Sequence, residues 1–322
     1  MLRTVQVPCF DAPQSAIGFG CASLGSRVSA AAGERALMRA FDAGVTWYDV
    51  APPYGAGEAE RIVGRFLRGR REQLTVCTKV GLAPPARNGL MRAVYTLGRP
   101  FVGVLSEARR SFRRISVTRN VKLPLTPELI EQSLHTSLRQ LDTDYVDVLA
   151  LHDPDPDDVV RPEIIGMLER MVARGHARRL GVAGKPSACV AALGDGLPFT
   201  VVQVADDPAV SPLPRLMQLA QRPTATVTHS ILGVDGAMHR LIARLKEDGA
   251  RRQMLANAGY DGTLGQMVAS LLIDRALASN RQGVVLLSMF DAAHLAENIK
   301  HASAPPRDDA AALVARLLSD DS

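Results

Sequence analysis

Apolar residues along the chain gather into eight short runs rich in β-branched side chains, and stretches with apolar positions three and four residues apart alternate with them. The runs are AIGFG at 16–20, VTWYDV at 45–50, LTVCTKV at 74–80, YVDVLAL at 145–151, RRLGVA at 178–183, FTVVQVA at 199–205, TATVTHS at 224–230 and GVVLLS at 283–288. Helical periodicity marks GERALMRAFDAG, EAERIVGRFL, TPELIEQSLHTSLRQL, PEIIGMLERMVARG and TLGQMVASLLIDRALA, several opening on an N-capping residue or a first-turn proline. Strand and helix in alternation predict a parallel sheet wrapped by helices. Eight such units predict an α/β fold, a single-domain (β/α)8 TIM barrel, rather than a doubly wound sheet; no GxGxxG follows the first run.

Two stretches interrupt the pattern. Residues 82–124 form an insertion after the third strand where a short loop would serve, and residues 251–263 form a smaller one before the last full helix. Loops that follow barrel strands open onto the catalytic face, so both are expected to point toward the site, the first as a lid. The chain closes on a further helical segment, DDAAALVARLL.

Composition narrows the class. With 322 residues, 47% hydrophobic and 22% charged, the chain has enough apolar side chains for a substantial core. No apolar run reaches the roughly eighteen residues that span a bilayer, and MLRTVQVPCFDAP lacks the apolar centre of a secretory leader, so a cytoplasmic protein is expected. Cys9, Cys21, Cys77 and Cys189 stand apart with no CxxC pair, which suits a reducing compartment and predicts four small core residues. The formal charge of +5 is local: residues 82–124 hold nine basic side chains against Glu107 alone, a segment of +8, so the rest carries −3. A nucleic-acid partner is therefore not implied for the barrel.

Polar side chains at the C-terminal ends of barrel strands leave the packed interior and meet substrate. Asp49 ends the second strand, Tyr54 follows in DVAPPYGAGEAE, Lys79 ends the third strand in CTKVG, and His152 ends the fourth in LALHDPD. A carboxylate, a phenol, an ammonium and an imidazole suffice to assemble a proton donor of tuned acidity. By contrast, DPDPDD at 153–158 lacks the mid-loop glycine and closing glutamate of a calcium loop and is expected to be a solvated strand-end loop. Trp47, Leu213, Leu216 and Met217 are expected to pack.

These residues and their order resemble the aldo-keto reductase superfamily. The likeness spans about residues 16–81 and 125–301: GFGCASLG resembles its first-strand turn with Gly20 and Cys21, DAGVTWYDVAPPYGAGEAERIVG its Asp-to-Tyr motif, TKVG its lysine strand and LRQLDTDYVDVLALHDPD its histidine strand. GHARRLGVAG, VVQVADDP, HSILG and HLAENI resemble segments that contact the nicotinamide, pyrophosphate and adenine. The resemblance implies hydride exchange between a nicotinamide dinucleotide and a small-molecule carbonyl or alcohol. Tyr54 would protonate the alkoxide, Lys79 held by Asp49 would lower the phenol pKa, and His152 would orient the substrate oxygen.

Departures from the family pattern concern the cofactor. Where members commonly carry Ser-Asn to hold the carboxamide, this chain has Ala183-Gly184, leaving Gln203 of that trio. His229 stands where an aromatic ring normally stacks on the nicotinamide, and Ser230, Leu232 and Gly233 keep the phosphate-loop pattern. Lys or Arg usually recognises a 2′-phosphate where Ser288, Met289 and His294 stand; Glu297 and Asn298 persist as adenine contacts, and Arg281 or the insertion is a substitute phosphate donor. NADP(H), the commoner family cofactor, is placed ahead of NAD(H). Two other classes are open to the same residues: a dinucleotide-binding redox sensor with little turnover, and a lyase or isomerase using Lys79 and Tyr54 without a dinucleotide.

Overall fold

The computed structural model describes residues 1–84, 120–234 and 236–319, and the eight apolar runs form one closed parallel barrel. Its strands are β1 (Ile17–Gly20), β2 (Trp47–Asp49), β3 (Thr75–Val80), β4 (Val146–His152), β5 (Ala177–Ala183), β6 (Phe199–Ala205), β7 (Ala225–His229) and β8 (Val284–Leu287). They pair in chain order, and β8 closes on β1. Side chains fill such a barrel and helices cover it, so its strands are buried on both faces. All six residues of β3 are buried, as are six of the seven in β4.

The outer layer comprises α1 (Ala30–Asp42), α2 (Ala59–Leu67), α3 (Pro127–Leu141), α4 (Pro162–Ala173), α5 (Pro186–Ala192), α6 (Leu213–Leu219), α7 (Ala237–Glu247), α8 (Gly249–Asn257), α9 (Leu264–Ser279), α10 (Ala292–Ser303) and α11 (Ala310–Leu318). Ser29, Thr126, Thr263 and Asp291 accept first-turn N–H groups, and Pro127 and Pro162 open α3 and α4, where a missing N–H costs nothing. An antiparallel ribbon, Thr4–Val5 with Gln14–Ser15, lies at the N-terminal end of the barrel. There Ser15 and Thr46 exchange backbone-to-hydroxyl hydrogen bonds of 2.9 Å, and the Phe10 ring lies 5.3 Å from that of the fully buried Trp47.

Some expectations are corrected. Cys21, Cys77 and Cys189 are buried, but Cys9 is exposed with a left-handed φ of 67°, because it lies in the loop between the ribbon strands. Leu213 and Leu216 pack, whereas Met217, one position further round the short helix α6, is 53% exposed. The stretch 251–263 is not a loop over the site: its first half is α8, and Leu255 and Tyr260 join Leu241, Leu271, Leu313 and Val314 in a second core among α7, α9 and α11.

The larger insertion leaves and rejoins the barrel through a ribbon in which Leu82–Ala83 pairs with Val121–Lys122. Gly81, at φ 123°, starts this excursion, and a Cβ there would meet the His152 carbonyl at 3.1 Å, so both ends of the insertion sit beside His152. The lid expected of it falls on residues 85–119, outside the described residues. Among the described residues, no helix is long and apolar enough to cross a membrane, and no three His, Cys, Asp or Glu gather where they could hold a metal ion.

Candidate active site

Three successive strand ends and one turn bring Asp49, Lys79, His152 and Tyr54 together at the C-terminal mouth. Parallel register sets Asp49 of β2 beside Cys77 of β3, so that Lys79, two residues on and on the same face, reaches back across it. Lys79 Nζ lies 2.6 Å from Asp49 Oδ1, 3.2 Å from the Val50 carbonyl and 3.3 Å from the Tyr54 hydroxyl. The ammonium, only 1% exposed, thus has three oxygen partners. Tyr54 is aimed by a tight turn in which Gly55 and Ala56 are both left-handed at φ 59°. Glycine is required at 55, where an added Cβ would stand 1.6 Å from the Leu24 carbonyl oxygen. The His152 ring meets the Tyr54 ring edge-on, with centroids 5.8 Å apart.

Electrostatics assign the protonation states. Burial alone would depress the Lys79 ammonium, but Asp49, then Tyr54 and Cys77, outweigh it and hold the pKa above its ordinary value. Burial raises the Tyr54 phenol; Lys79 pulls against it without prevailing, so the depressed phenol pKa expected from the sequence gives way to a raised one. Desolvation, with the nearby Lys79 and His229, pushes His152 well below the usual imidazole range, and desolvation likewise lowers His229. The mouth therefore holds a neutral phenol against a fixed cation, with two neutral imidazoles alongside.

The other expected contacts divide. Gly20 pairs with Asp49 across β1 and β2, and Cys21, fully buried, donates its N–H to the Asp49 carbonyl at 2.9 Å; both stand behind the acid. Gln203 is buried in register between Ala183 and Val227. His229 Nδ1 lies 2.9 Å from Ser230 Oγ, and Ser230 is left-handed at φ 55°. Gly233, at φ 98°, leaves a cradle that a Cβ would fill at 2.6 Å from Ala237 Cβ, and α7 starts on Gly236 with no side-chain cap. The Leu232 carbonyl takes the Met238 N–H at 3.2 Å, and such a tight turn into a helix start suits a pyrophosphate. Further on, Asn298 Nδ2 donates to the Ser288 carbonyl at 3.3 Å, and exposed Glu297 lies 3.6 Å from Lys300 Nζ. His294 is exposed, but Met289 is fully buried beneath this loop and offers it nothing. Arg281 does not join the group: it precedes β8, at the opposite end of that strand, and pairs with Asp308.

Two features escape sequence reading. Asp206 and Arg275, 69 positions apart, form a buried ion pair at 2.7 Å beside the end of β6; only the fold brings them together. Asp153, next to His152, turns left-handed at φ 52° and settles against Gly184. Its place immediately after a strand-end histidine was the available signal. The DPDPDD stretch, expected as a solvated loop, is corrected in part: residues 155–157 are exposed, but Pro156–Val159 forms a one-turn helix with Asp155 at its N-cap.

The chain belongs to the aldo/keto reductase family, matching it over residues 16–318. It is 29% identical over 178 residues to a D-threo-aldose 1-dehydrogenase from a Pseudomonas species, covering 53% of this chain and 50% of that protein. To an L-galactose dehydrogenase from Arabidopsis thaliana it is 27% identical over 180 residues, covering 53% and 45%. The matches thus span about half the length of these curated relatives. Among solved structures, an aldo-keto reductase from Bacillus halodurans superposes with a TM-score of 0.70 at 18% identity, covering 98% of this chain and 96% of that one, a likeness of fold.

Proposed function

We propose that this protein is an NAD(P)-dependent oxidoreductase that interconverts a carbonyl and an alcohol, with sugars the favoured substrate class. The observation that carries the reading is Lys79 Nζ, buried between Asp49 Oδ1 at 2.6 Å and the Tyr54 hydroxyl at 3.3 Å, with the His152 ring alongside. The sugar class rests on the names of the two relatives, one acting on an aldose and one on galactose.

In this reading the dinucleotide, when bound, supplies or accepts the hydride. Ser230, Leu232, Gly233 and the start of α7 would hold its pyrophosphate, His229 would flank the nicotinamide, Gln203 would meet its carboxamide, and Asn298 with Glu297 would meet the adenine. Tyr54 gives its proton to the forming alkoxide, and Lys79 compensates the phenolate left behind. Asp49 keeps the ammonium in place and charged through the exchange. His152, held neutral by desolvation, donates or accepts one hydrogen bond at the substrate oxygen without adding a competing charge. Arg281 stands at the far end of β8, and among the described residues the guanidinium that reaches the segment holding Ser288 and His294 is Arg39, which donates to the Phe290 carbonyl at 3.0 Å; NADH stands beside NADPH as a cofactor to be tested.

Replacing Tyr54 by Phe removes the proton donor and little volume. Reduction of an aldose or small-aldehyde panel should fall at least about a hundredfold in kcat, while the Kd for NADPH or NADH, followed by fluorescence quenching, stays within about threefold. Full activity in this variant would remove Tyr54 from the chemistry. Absence of dinucleotide binding to the wild-type protein would defeat the reading as a whole.

A further inference from the structure

The C-terminal ends of β4, β5 and β6 form one row in which His152 pairs with Ala183 and Ala183 with Gln203. A nicotinamide ring delivering hydride to a carbon held at Tyr54 and His152 must lie over this row, within about 3.5 Å of that carbon. Apart from its link to ribose, the ring's one polar substituent is the carboxamide, which needs an acceptor for its NH2 and a donor for its carbonyl. Ala183 and Gly184 offer no polar side chain for either task.

The backbone explains why Gly184 cannot carry one and what stands there instead. Asp153 N–H donates to the Ala183 carbonyl at 2.7 Å, and Gly184 N–H donates to the Gln203 carbonyl at 3.0 Å, which draws the two strand ends together. A Cβ on Gly184 would lie 2.9 Å from Asp153 Cα and 3.3 Å from Asp153 Oδ1. The carboxylate therefore stands against the space a residue-184 side chain would occupy. Asp153 is half-buried, and among the described residues its carboxylate has no hydrogen-bond or ion-pair partner. Its left-handed φ of 52°, uncommon for a residue with a Cβ, directs the chain into this position.

From this geometry we infer that Asp153 is the carboxamide anchor of this chain, accepting from the nicotinamide NH2 while Gln203 serves the carboxamide oxygen. The inference rests on the dinucleotide reading above and adds a consequence to it. A carboxylate beside the ring attracts the pyridinium of the oxidised cofactor more than the neutral reduced ring. Asp153 therefore biases the site toward NAD(P)+, and so toward oxidation of the alcohol.

The test measures Kd for NADPH, NADH and their oxidised forms by fluorescence quenching and displacement, beside ADP-ribose and 2′-phospho-ADP-ribose, which lack the nicotinamide. Asp153→Ala should weaken binding of the complete dinucleotides about tenfold or more and leave both ADP-ribose probes within about twofold. Asp153→Asn, nearly isosteric and still an acceptor, should keep the reduced cofactor within about threefold while weakening the oxidised one at least about fivefold. Equal losses for dinucleotide and ADP-ribose would mean that Asp153 only supports the fold, and would overturn the assignment. So would unchanged dinucleotide affinity with a raised KM, which would turn the carboxylate toward substrate. Wild-type protein that binds neither NADPH nor NADH would instead overturn the dinucleotide reading, an outcome distinct from binding that ignores residue 153.

Discussion

His152 shows how one side chain joins the site's chemistry to the stability of the protein. In the unfolded chain its imidazole takes a proton near pH 6.5, whereas the folded mouth holds it neutral well below that, through desolvation and the neighbouring Lys79 and His229. The unfolded state therefore binds more protons as pH falls through 6.5, and folding stability must decline on that side. Replacing His152 by Gln should flatten the decline between pH 6.5 and pH 5 by up to about 1.4 kcal/mol per pH unit, read as the difference in urea unfolding between variant and wild type. Glu60, which burial raises, acts in the opposite sense at lower pH but is common to both proteins and cancels in the difference. Parallel pH curves for the two proteins would show that the imidazole titrates normally and that its environment is wetter than the structure indicates. Tyr54 obeys the same balance with another outcome: burial outweighs the nearby ammonium, so the phenol stays protonated and available as an acid through neutral pH.

At the scale of strands and turns, the β5–β6 end separates family pattern from local geometry. A Ser-Asn pair in place of Ala183 and Gly184 would supply carboxamide donors on paper. In this backbone any side chain at 184 collides with Asp153 Cα at 2.9 Å. The Ala183→Ser, Gly184→Asn double variant should therefore lose roughly 1–3 kcal/mol of stability by urea unfolding and bind NADPH no more tightly than wild type. Tighter binding with unchanged stability would show that the loop relaxes freely. The same contrast explains what could be seen in the sequence. The eight strands were legible because strands buried on both faces need continuous apolar runs, and α3 and α9 because Thr126 and Thr263 mark their starts. Asp49, Lys79 and His152 were legible because each breaks an apolar run at its end. Stretch 251–263 misled because α8, as a surface helix with Leu255 its one buried residue, shows almost no apolar periodicity. The Asp153–Gly184 contact was invisible because it depends on a left-handed turn and on parallel register between β4 and β5, neither of which local sequence reports.

Across the whole molecule, two cores meet along α9. The second core of α7, α8, α9 and α11 is separate from the barrel interior, and α9 contributes both to it, through Met267, Val268, Leu271 and Leu272, and to the barrel's core, through Ile273, Ala276 and Leu277. Among the second set lies Arg275, one helical turn beyond Leu271 and Leu272 and 6% exposed, whose guanidinium pairs with the fully buried Asp206 at 2.7 Å and donates to the carbonyls of Asp206 and Asp207 at 3.3 Å. Asp207 in turn accepts the Val234 N–H at 2.9 Å, so the clamp continues into the turn that precedes α7. A buried ion pair adds little net stability over an apolar pair, but losing one partner strands the other charge without water. Arg275→Met should therefore cost about 3–5 kcal/mol in urea unfolding, and adding Asp206→Asn should recover part of that loss by removing the stranded carboxylate. Because Val234 hangs from the same loop, the single variant should also raise the NADPH Kd several-fold while the Tyr54–Lys79–Asp49 array, on the other side of the barrel, keeps its arrangement. A loss below about 1 kcal/mol, or one that leaves cofactor affinity untouched, would show that the satellite core and the turn before α7 are held independently of this pair.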